Sequence, residues 1–214
     1  AAAVETLEKA SFGLLDYLSR VLAGRKVSCV SLFPQYRAVQ ELAGADRIHP
    51  ADLWSVDWHW TEVADVATVG PRSADAATRG ELETLLLALM RGRSTARTAQ
   101  RMSDLCAGLG VSAPGMHAAT FWRLAAAFFE AVARDLLPLD VYSKRVASRI
   151  LAQFGMIERG ESAVSERLAQ DLLFFCAQCR PGDTLAPRVQ AVRRAYGLED
   201  HEPVNYEVSH LGRF

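Results

Sequence analysis

Apolar residues recur at three- and four-residue steps through most of this chain, the period of helices that bury one face. The pattern is strongest over residues 117–137, HAATFWRLAAAFFEAVARDLL. Phe121, Trp122, Leu124, Ala125, Phe128, Phe129, Val132 and Leu136 share one broad face there, and the alanines between them favour helix and close packing. Arg123, Glu130, Arg134 and Asp135 fall outside the aromatic cluster and are expected to form a wet edge. A helix this apolar needs neighbours on more than one side, so it is predicted to be the centre of a bundle.

Residues 4–23 form a first predicted helix, with Leu7, Phe12, Leu14, Leu15, Leu18 and Leu22 as its apolar face and Gly24 as its stop. LFPQYRAVQELAG is the core of a second, with Pro34 tolerated in the first turn. Residues 55–74 lose the helical period. A short strand near 63–69 is conceivable there, but an extended connector fits better, and it ends in Gly70-Pro71. From Asp75 the helical pattern resumes and is punctuated by glycines, by Pro138 and by Pro181-Gly182-Asp183, with Ser162 as the expected cap of the helix leading to Cys176. The expected organisation is an N-terminal helical hairpin (1–54), a tryptophan-rich connector (55–74), a main helical bundle (75–197) and a C-terminal tail or linker (198–214). The fold class is all-α: one or more antiparallel helical bundles, about eight helices joined mostly by short loops, with one long irregular connector.

Composition narrows the picture further. Half of the 214 residues are hydrophobic and 23% are charged, which suits a packed globular chain and excludes a disordered one. A formal net charge of -1 gives no general attraction to nucleic acid or acidic membranes. No apolar run approaches the roughly 20 residues of a membrane span, and no leader peptide is visible, so a cytoplasmic location is expected. Four cysteines, Cys29, Cys106, Cys176 and Cys179, fit a reducing compartment. Cys176-Ala-Gln-Cys179 has redox or zinc spacing, but no second ligand pair completes it. One buried and one half-exposed thiol are expected.

Sites of chemistry are scarce. Phosphate-cradling glycine loops, GxSxG and HExxH are absent, so no catalytic, cofactor-binding or metal-binding residue is assigned. His49, His59, His117, His201 and His210 each sit in an ordinary structural or solvated context. Two features could serve a protein partner. Trp54, Trp58 and Trp60 crowd one connector, either plugging a gap between helical layers or forming an aromatic patch. Arg93, Arg97 and Arg101 are spaced to share a helix face beside Arg91, which suits solvent or an acidic partner better than nucleic acid. A small-molecule enzyme with a pocket lined by Phe121, Trp122, Phe128 and Phe129 is a rival reading, as is a free-standing helical interaction module.

Two segments carry a family resemblance. LEKASFGLLDYLSRVLAGRKVSCVSLFPQYRAVQELAGADRIHPADLW and RVQAVRRAYGLEDHEPVNYE resemble the N-terminal region of the CheA-like hybrid histidine kinases of type IV pilus (twitching motility) chemosensory systems. There, tandem histidine phosphotransfer (Hpt) domains precede the kinase core, and a related region occurs in a pilus regulatory protein without one. The resemblance implies a phosphorelay setting, with receiver (response-regulator) or pilus regulatory proteins as partners and ATP as the cofactor of the parent kinase alone. Against an active Hpt domain the chain is degenerate. A phosphoacceptor should sit mid-helix with a lysine nearby, whereas His117 is followed by Ala118, Ala119, Thr120 and Phe121 at a helix start. The expectation is a non-catalytic scaffold segment that binds proteins, with no cofactor of its own, no nucleic acid and no membrane span.

Overall fold

The computed structural model describes every residue except 67, 68 and 208–214; His210 lies outside the described residues. Among the described residues, eight α-helices and two short 3-10 turns make up the regular structure, and there is no strand. The chain divides into two compact units, one of residues 1–57 with the C-terminal segment from Val204, the other Trp58–Pro203.

In the first unit, α1 (Ala2–Leu22) packs on α2 (Phe33–Leu42). Gly13 is the one buried residue of α1. A Cβ there would stand 3.1 Å from Gln35 Cγ, so the glycine sets how closely the two helices approach. The 3-10 turns Cys29–Leu32 and Pro50–Leu53 bracket α2. His49 starts the second: its Nδ1 accepts from the Ala51 amide at 3.0 Å while Asp52 accepts from the His49 amide at 3.1 Å. These reciprocal bonds satisfy amides that a helix start leaves unpaired. Tyr206 meets the buried Phe33 ring edge-on at 6.0 Å. The predicted apolar face of α1 is not buried: Leu7, Phe12, Leu14, Leu15, Leu18 and Leu22 are all exposed.

The second unit is built round α5 (Met116–Ala133), as its alanine- and phenylalanine-rich sequence requires. It packs against α4 (Thr95–Val111), α7 (Glu166–Ala177) and α8 (Pro187–Ala195), while α3 (Ala76–Met90) lies on α4 and α6 (Val141–Glu158). Phe121, Phe128, Phe129, Phe154, Phe174 and Phe175 are all fully buried. Helix starts follow capping chemistry at Asp75, Asp140 and Ser165, whose side chains accept amide hydrogens of the first turn. The cap of α7 is therefore Ser165 and not Ser162. Gln153 explains the shift: it accepts from the Ser165 amide at 2.8 Å and donates to the Ala163 carbonyl at 3.2 Å, keeping 162–164 out of the helix.

Two other expectations are corrected. Glu130 does not lie on a wet edge but is 2% exposed. Its Oε1 accepts from the Arg188 and Val189 amides at 2.9 and 3.0 Å, capping α8, which has no side-chain cap of its own. Residues just beyond α8 are not a free linker either. Arg193, 3% exposed, donates to the Cys176 and Ala177 carbonyls and to those of Glu199 and His201.

The connector is held to this unit by its main chain. Thr120 Oγ1 donates to the Thr61 carbonyl at 2.8 Å, Arg123 to the Val63 carbonyl at 2.9 Å, and the Arg72 amide to the Gly108 carbonyl at 3.0 Å. Gly108 permits the last contact, because a Cβ there would lie 2.8 Å from the Gly70 carbonyl oxygen and 2.4 Å from Arg72 Cγ. Gly80, on the exposed side of α3, has no such neighbour. Alanine substitutions at the two sites are therefore expected to act with opposite signs in thermal unfolding. Gly80→Ala gains helix propensity, roughly 0.5–1 kcal/mol, whereas Gly108→Ala loses about 1–3 kcal/mol to overpacking against backbone.

Candidate interaction site

Trp58 and Trp60 are half-buried in an aromatic cluster at the start of the second unit. The Trp58 ring stacks on Tyr196 at 5.7 Å and 9°, and meets Trp60 edge-on at 5.3 Å. Trp60 in turn stacks on His117 at 4.8 Å and 15°. Trp58 Nε1 donates to Glu166 at 2.6 Å, tying the connector to the first turn of α7. Parallel, offset rings with a satisfied indole N–H are how large amphipathic side chains settle at a partly wet surface. Trp54 is also half-buried but ends the second 3-10 turn, in the first unit.

The arginines are arranged differently from what spacing suggested. Arg91 ends α3, Arg93 lies in the turn before α4, and only Arg97 and Arg101 lie within α4. Ser94 reverses the chain with φ of 45°, which takes Arg93 off the helix. All four are exposed, and no carboxylate among the described residues pairs with any of them. Asp104, one turn beyond Arg101, is engaged by Arg188 at 2.7 Å. Arg97 falls in the first turn of α4, where the helix dipole disfavours positive charge. Arg97 and Arg101 are like charges four residues apart, which also costs stability. Fold stability does not explain this arrangement.

His117 is exposed, but it lies in the first turn of α5 with its ring against Trp60. No cluster of metal-ligating side chains occurs among the described residues. Both cysteines of the CxxC pair are buried, which corrects the expectation of one half-exposed thiol. Burial raises the Cys176 thiol well above its ordinary range and the Cys179 thiol to about 12. Thiols held protonated in this way are poor nucleophiles and poor ligands. Phe121, Phe128 and Phe129 are fully buried in the core. Trp122 alone of that set borders a cavity of about 350 Å³, shared with Arg72, Ser112, Pro114, Ala118 and Glu161.

A family profile described as the FimL scaffold protein second domain matches residues 68–209. The chain belongs to this family. The match covers the helical unit that carries the arginines and includes the C-terminal segment of the kinase resemblance, while the N-terminal segment of that resemblance lies before it. No curated protein and no solved structure matches. The profile describes a scaffold protein of type IV pilus chemosensory systems; it does not describe the Hpt region of a CheA-like kinase. The pilus chemosensory setting and the scaffold role therefore stand. No described helix is long and apolar enough to cross a membrane.

Arg91 was visible in the sequence only as a neighbour of the periodic arginines. The turn at Ser94, with its φ of 45°, gives no periodic signal.

Proposed function

We propose that this chain is a non-enzymatic docking segment of a pilus chemosensory scaffold, and that Arg91, Arg93, Arg97 and Arg101 receive an acidic face of a receiver or pilus regulatory protein. The observation that carries the reading is four exposed arginines with no carboxylate partner among the described residues, two of them placed against helix-end and neighbour electrostatics. Such a patch steers an acidic partner and sets orientation more than it adds contact area. Membership of a scaffold family supports a role in binding and not in turnover. The stacked tryptophans hold the connector in place beside this function.

The test is binding of the receiver domain from the same pathway to the wild type and to the Arg93→Glu/Arg97→Glu/Arg101→Glu variant, at low and high salt. Binding is expected to weaken at least tenfold in the variant, with the salt dependence reduced, while the melting temperature stays unchanged or rises slightly. Exposed substitutions of this kind change stability by only about 0.5 kcal/mol, and acidic residues suit a helix start. Equal affinity for both proteins would overturn the arginine site. Acid-labile phosphoryl label on His117 would overturn the non-enzymatic reading.

A further inference from the structure

Helix α1 carries a second surface, independent of the arginines. The residues of α1 that are at least partly covered are Thr6, Ala10, Gly13, Asp16, Tyr17 and Arg20, with Gly13 against Gln35 of α2. On the opposite side, Val4, Leu7, Ser11, Leu14, Leu18 and Val21 are all exposed and follow a 3-4-3-4-3 spacing. That is the a/d repeat of helices that pair along a seam. Leu15 and Leu22 widen the stripe. Its large apolar members range from 45% exposure at Leu18 and Val21 to 88% at Leu22. Isolated exposed leucines need no explanation, but a continuous apolar stripe along a whole helix marks a binding surface.

We infer that this stripe pairs with the same stripe of a second copy, antiparallel, about a two-fold axis between Phe12 and Gly13. A two-fold interface requires a self-complementary patch, and this one is. Read from either end, the spacing is the same. The axis sets Val4 opposite Val21 of the second copy, Leu7 opposite Leu18, and Ser11 opposite Leu14. The small serine therefore faces the large leucine, and its hydroxyl is already satisfied by the Leu7 carbonyl at 2.9 Å, so it enters the seam without an unpaired group. A lipid surface is a poorer fit. The charged residues of α1 are Glu5, Glu8 and Asp16 against Lys9 and Arg20, not the basic set that anionic membranes select.

Area sets the strength. Twenty-one residues make a helix about 31 Å long and 10–12 Å wide. Two such faces cover roughly 600 Å² of footprint, the class of reversible association and not of permanent dimers. The dimer is therefore concentration-dependent.

The experiment is sedimentation of the full chain from micromolar to sub-millimolar concentration. Wild type shifts from monomer towards dimer across that range. Leu14→Glu and Leu18→Glu stay monomeric with unchanged helix content and melting temperature. In a Cys29→Ser background, which removes the exposed thiol, Val4→Cys mixed with Val21→Cys gives a mixed disulfide on oxidation, while Val4→Cys alone gives none. Three outcomes would overturn the inference. Wild type monomeric throughout excludes the dimer, and self-crosslinking of Val4→Cys means parallel pairing. Unfolding of Leu18→Glu means that the face is covered within the chain. Retention on anionic vesicles, abolished by Leu18→Glu in a wild type that stays monomeric, would give the stripe to a membrane.

Discussion

Replacing Arg188 by alanine is expected to destabilise the helical bundle by about 3–5 kcal/mol, the range seen when one partner of a buried ionic pair is removed. Arg188 is 7% exposed, and its guanidinium donates at 2.7 Å both to Ser103 Oγ and to Asp104 Oδ1. Ser103 passes the chain on, donating to the Ala126 carbonyl at 2.7 Å. The Glu130 carboxylate lies close enough for the guanidinium to stabilise its charge. One side chain thus joins α4, α5 and the start of α8. Without it, Asp104 can turn to water, since it is 47% exposed, but Glu130 cannot. The cost arises mainly from a buried carboxylate left with its amide partners and the more distant Arg134 charge.

That origin gives the effect a pH dependence with a definite sign. Burial holds the Glu130 carboxyl above its ordinary range, opposed by the Val189 and Arg188 amides and by the Arg188 and Arg134 charges. A folded-state pKa raised above the unfolded value means that the group's contribution is complete below about pH 4.5 and is lost as pH rises through the folded value. Removing Arg188 raises that folded value further. The gap between wild type and Arg188→Ala should therefore widen from pH 5 to pH 8 in urea unfolding. Arg188→Lys, which keeps a charge but loses the planar fork, should fall between them. A gap independent of pH would mean that lost packing, and not the Glu130 charge, dominates.

This network also shows where reading the chain stops. The central place of α5 was legible because Phe121, Phe128 and Phe129 repeat with the helical period and the alanines between them leave only a narrow polar edge. Glu130 reads as solvent-facing by the same logic. It is buried because the Arg188 and Val189 amides, 58 and 59 residues away, need an acceptor that Ala186 cannot supply. Main-chain donors carry no side-chain signature. The same holds for Arg193, whose partners are carbonyls of α7 and of the segment after α8. For α1 the difficulty is reversed. Its amphipathic pattern was read correctly as a helix, but periodicity says which face is apolar and not what covers it. The arginines were legible as a cluster of charge; their geometry was not, because Ser94 breaks the helix on which the spacing depended.

The second large effect is expected at Phe128. Phe128→Ala should cost about 3–5 kcal/mol, since the removed ring leaves a cavity that close-packed neighbours fill only in part. Phe128 is fully buried. Its ring lies 5.1 Å from Phe129 and 5.6 Å from Phe175, so it links α5 to α7 across the centre of the bundle. At about 2–4 °C per kcal/mol for a chain of this size, the melting temperature should fall by roughly 6–20 °C. The comparison that gives this meaning is Phe12→Ala. Phe12 has the same side chain at 63% exposure, and monomeric protein should change by only about 0.5 kcal/mol. Calorimetry at low concentration, with α1 unpaired, separates the two. A small loss at Phe128 would mean that the α5–α7 layer collapses onto the vacancy. A large loss at Phe12 would mean that its ring is packed within a single chain. Arginine-dependent binding should survive Phe128→Ala below its lowered melting temperature, because α3 and α4 position that surface and the ring lies on α5.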